Sequence, residues 1–300
     1  NEETETFGKP VKIKLPTWAE VIEDVKPDNH YNYLYKQLEK YDATDNKRSF
    51  AGNKLIYKYF TEYMMKTRYK GGKTPQEIYE EDPEKVWGRV CKMDRRKGFP
   101  PSPTDIFELN RTITFFKPTI AKHLCIKFNA HSVLDPCAGW GGRMIGSISA
   151  GAKYTGYDTN KELEKPYNDM IKDLELINAE IKYKSCLEDV NFEGLEYDLV
   201  LTSPPYENLE IYEGMKAFDN DDVFYEDFLI PMIDKCRKYI QQNGKVCINI
   251  SPPMYEKLTK EYMYPEAPDK INFLQQMGQK SGKKEDFIYI WNNNNPNVSL

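Results

Sequence analysis

Hydrophobic residues recur at helical spacing through the first third of the chain. Tyr31, Leu34, Tyr35 and Leu38 share one helix face, as do Leu55, Ile56, Tyr59, Phe60, Tyr63 and Met64, the three-to-four-residue repeat of an amphipathic helix. The segment from Thr74 to Cys91 adds further helix, and Gly98-Phe99-Pro100-Pro101-Ser102-Pro103 breaks it and marks a connection. A short helix is expected over Ile120–Phe128. From His131 the pattern changes to short apolar runs separated by helical stretches. Strands are expected at Ser132–Cys137, Tyr154–Asp158, Ile181–Cys186, Tyr197–Ser203, Lys245–Ser251 and Asp286–Trp291. Between them lie helices near Gly142–Ala150, Pro166–Asn178 and Asp222–Gln241. The last of these places Val223, Phe224, Phe228, Met232, Ile233, Cys236 and Ile240 on one face. Alternating strand and helix argues for a mostly parallel α/β sheet covered on both faces. The expected organisation is a helical region over residues 1–115, followed by a nucleotide-binding α/β domain over 116–300. The four asparagines near the end read as a frayed tail.

Composition narrows the function classes. The 300 residues are 40% hydrophobic and 30% charged, enough for a buried core and against wholesale disorder. No apolar run approaches the ~20 residues of a bilayer crossing, so no membrane partner is expected. The six cysteines are scattered, without a Cys-x-x-Cys pair or a neighbouring histidine, so neither a metal site nor a disulfide framework is expected. That usage fits a reducing intracellular compartment, cytoplasm or nucleus, with a viral or phage origin left open. A net charge of −5 excludes coating of nucleic acid by bulk charge, so a nucleic-acid site would be a local basic patch.

Where the first strand meets the first helix of the sheet, the chain reads Asp135-Pro136-Cys137-Ala138-Gly139-Trp140-Gly141-Gly142. Glycines there permit a tight turn and close approach of a ligand, and the helix N-terminus offers free N–H groups. Asp158 ends the second strand, nineteen residues after Gly139, where an acid holds ribose hydroxyls. The plain alternative is a tight turn with no ligand. The turn departs from the Gly-x-Gly-x-x-Gly of dinucleotide sites and instead resembles motif I of S-adenosylmethionine-dependent methyltransferases. That resemblance implies a Rossmann-like class I methyltransferase sheet with helices on both faces, and S-adenosyl-L-methionine as cofactor. It puts Asp135, Cys137 and the Ala138–Gly141 backbone against the amino-acid part of the cofactor and Asp158 against the ribose. Glu188 and Asp189, past the third strand, would meet the adenine. Phe115-Phe116-Lys117-Pro118-Thr119 resembles the motif capping the methionine end, which makes Lys117 a further candidate.

The fourth strand ends in Ser203-Pro204-Pro205-Tyr206. Two prolines cannot continue a central strand, so the backbone leaves at the carboxyl edge of the sheet, where open α/β sheets bind ligands. The chemistry that suits this tetrapeptide is methylation of an exocyclic amine, whose nitrogen lone pair is delocalised into the ring. Ser203 Oγ and the Pro204 carbonyl could accept its N–H bonds and aim the nitrogen at a methyl donor. Tyr206 could stack on a base flipped out of the duplex. Motif I followed by Ser-Pro-Pro-Tyr resembles the amino-methyltransferases of DNA, over about residues 115–291. That family associates the serine form more often with cytosine-N4 and the Asp or Asn form with adenine-N6. The resemblance therefore implies an enzyme acting on DNA, cytosine-N4 first and adenine-N6 second. It leaves a homodimer or a partner subunit open.

The chain departs from that family where a target-recognition region would follow, since few residues separate the fifth strand from the last. Target reading then falls to the first ~115 residues or to short loops. Lys92, Arg95, Arg96 and Lys97, and Lys280, Lys283 and Lys284, are candidates for backbone phosphates, their alternative being solvated faces. Asn208 and Glu210 could meet a base edge, and Ser251-Pro252-Pro253-Met254-Tyr255 reads as a turn at the rim of the pocket. Cys137 reads as a packed thiol rather than a nucleophile. Two rivals stand beside this reading: an RNA or protein-amine methyltransferase, and a catalytically silent binding subunit of the same fold.

Overall fold

The computed structural model describes residues 15–25, 30–44, 49–69, 72–97, 115–205, 210–211, 218–272 and 287–293. Among these, seven strands form one sheet: β1 (Ser132–Asp135), β2 (Lys153–Tyr157), β3 (Ala179–Lys182), β4 (Leu199–Thr202), β5 (Lys245–Ile250), β6 (Asp269–Asn272) and β7 (Phe287–Asn292). Their order is β3-β2-β1-β4-β5-β7-β6. The first five are parallel, and β7 runs antiparallel to both β5 and β6. The order reverses between β1 and β4, the switch point at which such sheets bind ligands. This is the Rossmann-like class I methyltransferase arrangement expected from the turn motif.

The central strands alternate strictly, with both faces apolar. Val133, Leu199, Leu201, Cys247, Ile288 and Ile290 face one core, and Leu134, Val200, Val246, Ile248, Tyr289 and Trp291 face the other. A side-chain period of two with both faces covered gives the near-continuous apolar runs that marked these strands in the sequence. The second core is closed by a long helix, α9 (residues 221–239), and by α10 (Pro252–Lys260). The first is closed by α6 (Pro118–Lys127), α7 (Gly142–Ser149) and α8 (Glu164–Asp173).

Two helices of the N-terminal region, α2 (Tyr31–Lys40) and α3 (Asn53–Met64), share that first core rather than building their own. Leu38, Leu55, Ile56, Phe60 and Met64 are fully buried in it. Lys122 of α6 fastens α2 by donating to the carbonyls of Leu38, Glu39 and Tyr41 at 2.7–2.8 Å, at the helix end where carbonyls run out of intrahelical partners. Among the described residues, α1 (Trp18–Val25), α4 (Pro75–Glu81) and α5 (Pro83–Lys97) gather around a separate small cluster of Val21, Tyr79, Val86 and Val90. Arg68–Tyr69 pairs antiparallel with Glu210–Ile211, which ties the N-terminal region to the segment after β4.

The structure corrects several sequence expectations. Strand β6 was not anticipated, because Asp269-Lys270-Ile271-Asn272 is an edge strand with a single apolar residue. The expected strand Ile181–Cys186 ends at Lys182, and the residues after it turn into the cleft described below. Ser251-Pro252-Pro253 starts α10 rather than a rim turn: Ser251 Oγ caps the helix by accepting from Met254 N, and the prolines take the first-turn positions that need no donor. The helix α9 runs from Asp221–Phe224 through a π-helical turn, Tyr225–Leu229, to Ile230–Tyr239. That turn brings Tyr225 and Leu229 into the core beside Phe224, while Phe228 is only half-buried. Asn292 and Asn293 are not frayed: Asn292 ends β7, and Asn293 Nδ2 donates to the Ile240 carbonyl at 2.8 Å. No helix among the described residues is long and apolar enough to cross a membrane.

Candidate functional site

A cavity of about 410 Å³ opens at the carboxyl ends of β1, β2, β3 and β4, within the range of small-molecule sites. Each strand delivers residues to it from the turn that follows. Cys137, Gly139 and Trp140 come after β1, and Asp158 and Asn160 after β2. Lys184, Ser185 and Cys186 follow β3, Ser203 and Pro205 follow β4, and Phe218 and Phe228 also line it.

The turn after β1 is held from below by Asp135, which is 0% exposed. Its Oδ2 accepts from Arg143 Nε at 2.7 Å and Tyr154 OH at 2.6 Å. Its Oδ1 accepts from Thr202 Oγ1 at 2.7 Å and from the Cys137 amide at 3.2 Å. Arg143 also donates to the carbonyls of Cys137 and Ala138. Burial works against the Arg143 charge, but Asp135 outweighs it and holds the guanidinium above its usual range. Burial and the same carboxylate push the Tyr154 hydroxyl well up. Asp135 therefore lies outside the cleft lining, whereas the resemblance put it against the cofactor. Four protein donors occupy it, and it ties β1, β2, β4 and α7 together beneath the turn.

The glycines divide the work. Gly139 (φ +60°) lines the cleft in a left-handed conformation and brings bare backbone to its floor. Gly141 (φ +74°) does not line it: a Cβ there would stand 3.0 Å from the Phe60 ring, so this glycine admits α3 against the start of α7. Ala138 is buried beside β2, its amide donating to the Tyr157 carbonyl at 2.8 Å, and it too lies outside the lining.

Asp158 is half-buried in the cleft wall, where Oδ2 accepts from the Gly139 amide and Oδ1 from the Asn160 amide, both at 2.9 Å. Desolvation raises its carboxyl to about 6, against the pull of those two N–H groups. Each oxygen keeps a lone pair for a further donor, such as a ribose hydroxyl.

Glu188 and Asp189 were expected at the adenine and are not in the lining. Glu188 Oε1 accepts from the Ser185 amide at 3.0 Å. Asp189 accepts from Tyr157 OH at 2.7 Å and pairs with Lys184 Nζ. Burial opposes its charge, yet Lys184 and Tyr157 hold the Asp189 carboxyl below its usual range. Both acids brace Lys184-Ser185-Cys186, which form that wall. Lys117 is the N-cap residue of α6, its ammonium 4.9 Å from the centre of the Phe50 ring, and it does not line the cleft. Cys137 does line it, with its thiol pushed well above the usual range, first by burial.

After β4, Ser203 and Pro205 line the cleft while Pro204 is buried. Ser203 Oγ donates to Asn249 Oδ1 at 3.3 Å, and Asn249 Nδ2 donates to the Phe287 carbonyl at 3.1 Å. Tyr206, Asn208, Lys280, Lys283 and Lys284 lie outside the described residues. Lys92 is exposed on α5; the side chains of Arg95, Arg96 and Lys97 lie outside the described part.

Several contributors escaped the sequence reading, Asn160 and Lys184-Ser185-Cys186 among them. Asn249 left one signal, a polar residue inside the otherwise apolar Val246-Cys247-Ile248-Asn249-Ile250. Phe228 was assigned to the core face, because a regular helical repeat does not register the π-helical turn that carries it. Phe218 left none.

No protein-family model matches the sequence, and no curated protein does. Among solved structures, a SAM-dependent methyltransferase from Agrobacterium tumefaciens is 16% identical, with a TM-score of 0.42, over 59% of this chain and 60% of its own. TrmN from Thermus thermophilus is 16% identical, TM-score 0.40, over 60% of this chain and 49% of its own. An rRNA methylase from Streptococcus thermophilus is 12% identical, TM-score 0.40, over 60% of this chain and 99% of its own. The chain thus spans less than two thirds of the first two. At this distance the likeness says nothing of what the present chain binds or acts on.

Proposed function

We propose that this chain transfers a methyl group from S-adenosylmethionine to an exocyclic amine of a nucleobase in DNA, cytosine-N4 before adenine-N6. One observation carries the reading: a single cavity is lined both by Gly139 and Asp158 and by Ser203 and Pro205. The two sequence motifs, far apart in the chain, thus meet in one site at the switch point of the sheet.

The residues present fit the cofactor. A glycine without a Cβ meets the site at positive φ, a carboxylate with free lone pairs faces it, and the rest of the wall is largely apolar. When bound, the cofactor supplies an electrophilic methyl group on a sulfonium sulfur. Gly139 and Trp140 would border its amino-acid part, Asp158 would accept from the ribose, and Lys184-Ser185-Cys186 would flank the adenine. Ser203 Oγ and the Pro204 carbonyl would accept the N–H bonds of the amine, with Tyr206 stacking on the base. Preorganised acceptors aligned with the donor methyl lower the barrier by positioning and electrostatics.

The test is incubation of the purified protein with radiolabelled S-adenosylmethionine and unmodified DNA, followed by nucleoside digestion and mass spectrometry. N4-methylcytosine supports the serine-based reading, and N6-methyladenine moves only the base. Label in RNA but not in DNA overturns the substrate, and label in neither, with cofactor bound, points to a silent subunit.

A further inference from the structure

Ser203 serves an amine only if its lone pairs, rather than its proton, face the cleft. A serine hydroxyl rotates freely and can present either, so something must fix it. Asn249, in β5 and 4% exposed, sits where it can. Its amide has two unlike ends, and the neighbouring strand chooses between them. The Phe287 carbonyl in β7 can only accept, so Nδ2 turns toward it, at 3.1 Å. Oδ1 is left facing Ser203, and it too can only accept. The Ser203 proton is therefore drawn to Oδ1, at 3.3 Å, and away from the substrate. A flipped amide would set Oδ1 against the Phe287 carbonyl oxygen and lose that bond, while its N–H would take up a lone pair of Ser203 Oγ and turn the serine proton toward the cleft. The 3.3 Å separation is longer than the ~2.7–2.8 Å optimum for a hydroxyl donor, and bonds of this kind tighten once substrate is in place.

We propose that Asn249 is a positioning residue that fixes Ser203 as a hydrogen-bond acceptor and so makes the site select a donor at the reacting position. The inference rests on the function proposed above and deepens it. An amino group meets two lone pairs and is held. The keto oxygen of uracil or thymine at the same place meets lone pairs with its own and is turned away, since a buried polar group left unpaired discriminates strongly.

The test compares N249A, N249D, S203A and the double variant S203A/N249A for kcat, S-adenosylhomocysteine affinity and Tm. N249D keeps the acceptor toward Ser203 and loses the donor toward Phe287. We expect N249A to lose about tenfold in kcat, the worth of one hydrogen bond, with S-adenosylhomocysteine affinity unchanged. On the S203A background the same change should cost nothing further. N249D should stay within about threefold of wild type in kcat, although its Tm falls at least as far as that of N249A. A merely structural residue would make activity follow Tm. Full activity in N249A, N249D as slow as N249A, or additive losses in the double variant would overturn the inference while the methylation reading stands. A wild-type chain that binds S-adenosylhomocysteine and methylates no nucleobase would sink that reading and this inference together.

Discussion

The amide of Gly139 donates to Asp158 Oδ2 at 2.9 Å, so the two parts of the expected cofactor site bind each other across the ends of β1 and β2. The bond fixes the acid in the wall where desolvation has brought its carboxyl to about 6. A ligand hydroxyl donating to Asp158 favours the ionised form. Below pH 6 the free protein holds a proton that binding must expel, and above pH 6 it does not. Affinity for S-adenosylhomocysteine should therefore rise as pH climbs from 5 toward 6, by about tenfold per unit at the low end, and level off above 7. In D158N it should be weak and flat. Calorimetric titration between pH 5 and 8 checks this, and a pH-independent wild type would remove Asp158 from the ligand.

Arg143 and Asp135 form an ion pair at 2.7 Å, with side chains 6% and 0% exposed. Such a pair is weak evidence of net stability, but breaking one side strands a buried charge. R143M keeps most of the volume and leaves the Asp135 carboxylate without its cation, so it should cost about 3–5 kcal/mol. D135N/R143M removes the charge as well and should recover part of that loss. Urea denaturation midpoints of the two variants measure the difference. Equal losses would mean the turn depends on Arg143's bonds to the Cys137 and Ala138 carbonyls rather than on charge.

How much of this site the sequence discloses follows from which interactions are local. The turn from Asp135 to Gly142, the acid ending β2 and the Pro-Pro exit after β4 each announce themselves in a few consecutive residues, because backbone conformation there restricts residue type. The direction of a side chain at a strand end is set by neighbours far away in sequence. Asp135 turns beneath the site because Tyr154, Thr202 and Arg143 converge on it, and Asp189 turns from the adenine wall toward Lys184 and Tyr157. Asn249 was hidden for the same reason, since its partners lie on two other segments. The division at residue 115 was drawn from a change in pattern, and pattern does not show that Phe60 of α3 packs on Trp140 and Tyr167 beside the glycine turn.

That contact makes the N-terminal region part of the candidate site's foundation. The Phe60 ring meets Trp140 edge-on, with centroids 6.2 Å apart, and occupies the space a Cβ on Gly141 would need. Trp140 in turn lines the cleft. Truncating a fully buried phenylalanine costs about 3–5 kcal/mol, and here the void opens directly beneath the turn. F60A should lower stability and also weaken S-adenosylhomocysteine binding under conditions where the protein remains folded. Tyr79 anchors the separate cluster of α1, α4 and α5, so Y79A should lower Tm and leave that binding unchanged. Thermal melts paired with calorimetric titration of both variants separate the two effects. Unchanged binding in F60A would show that the turn holds its shape without α3.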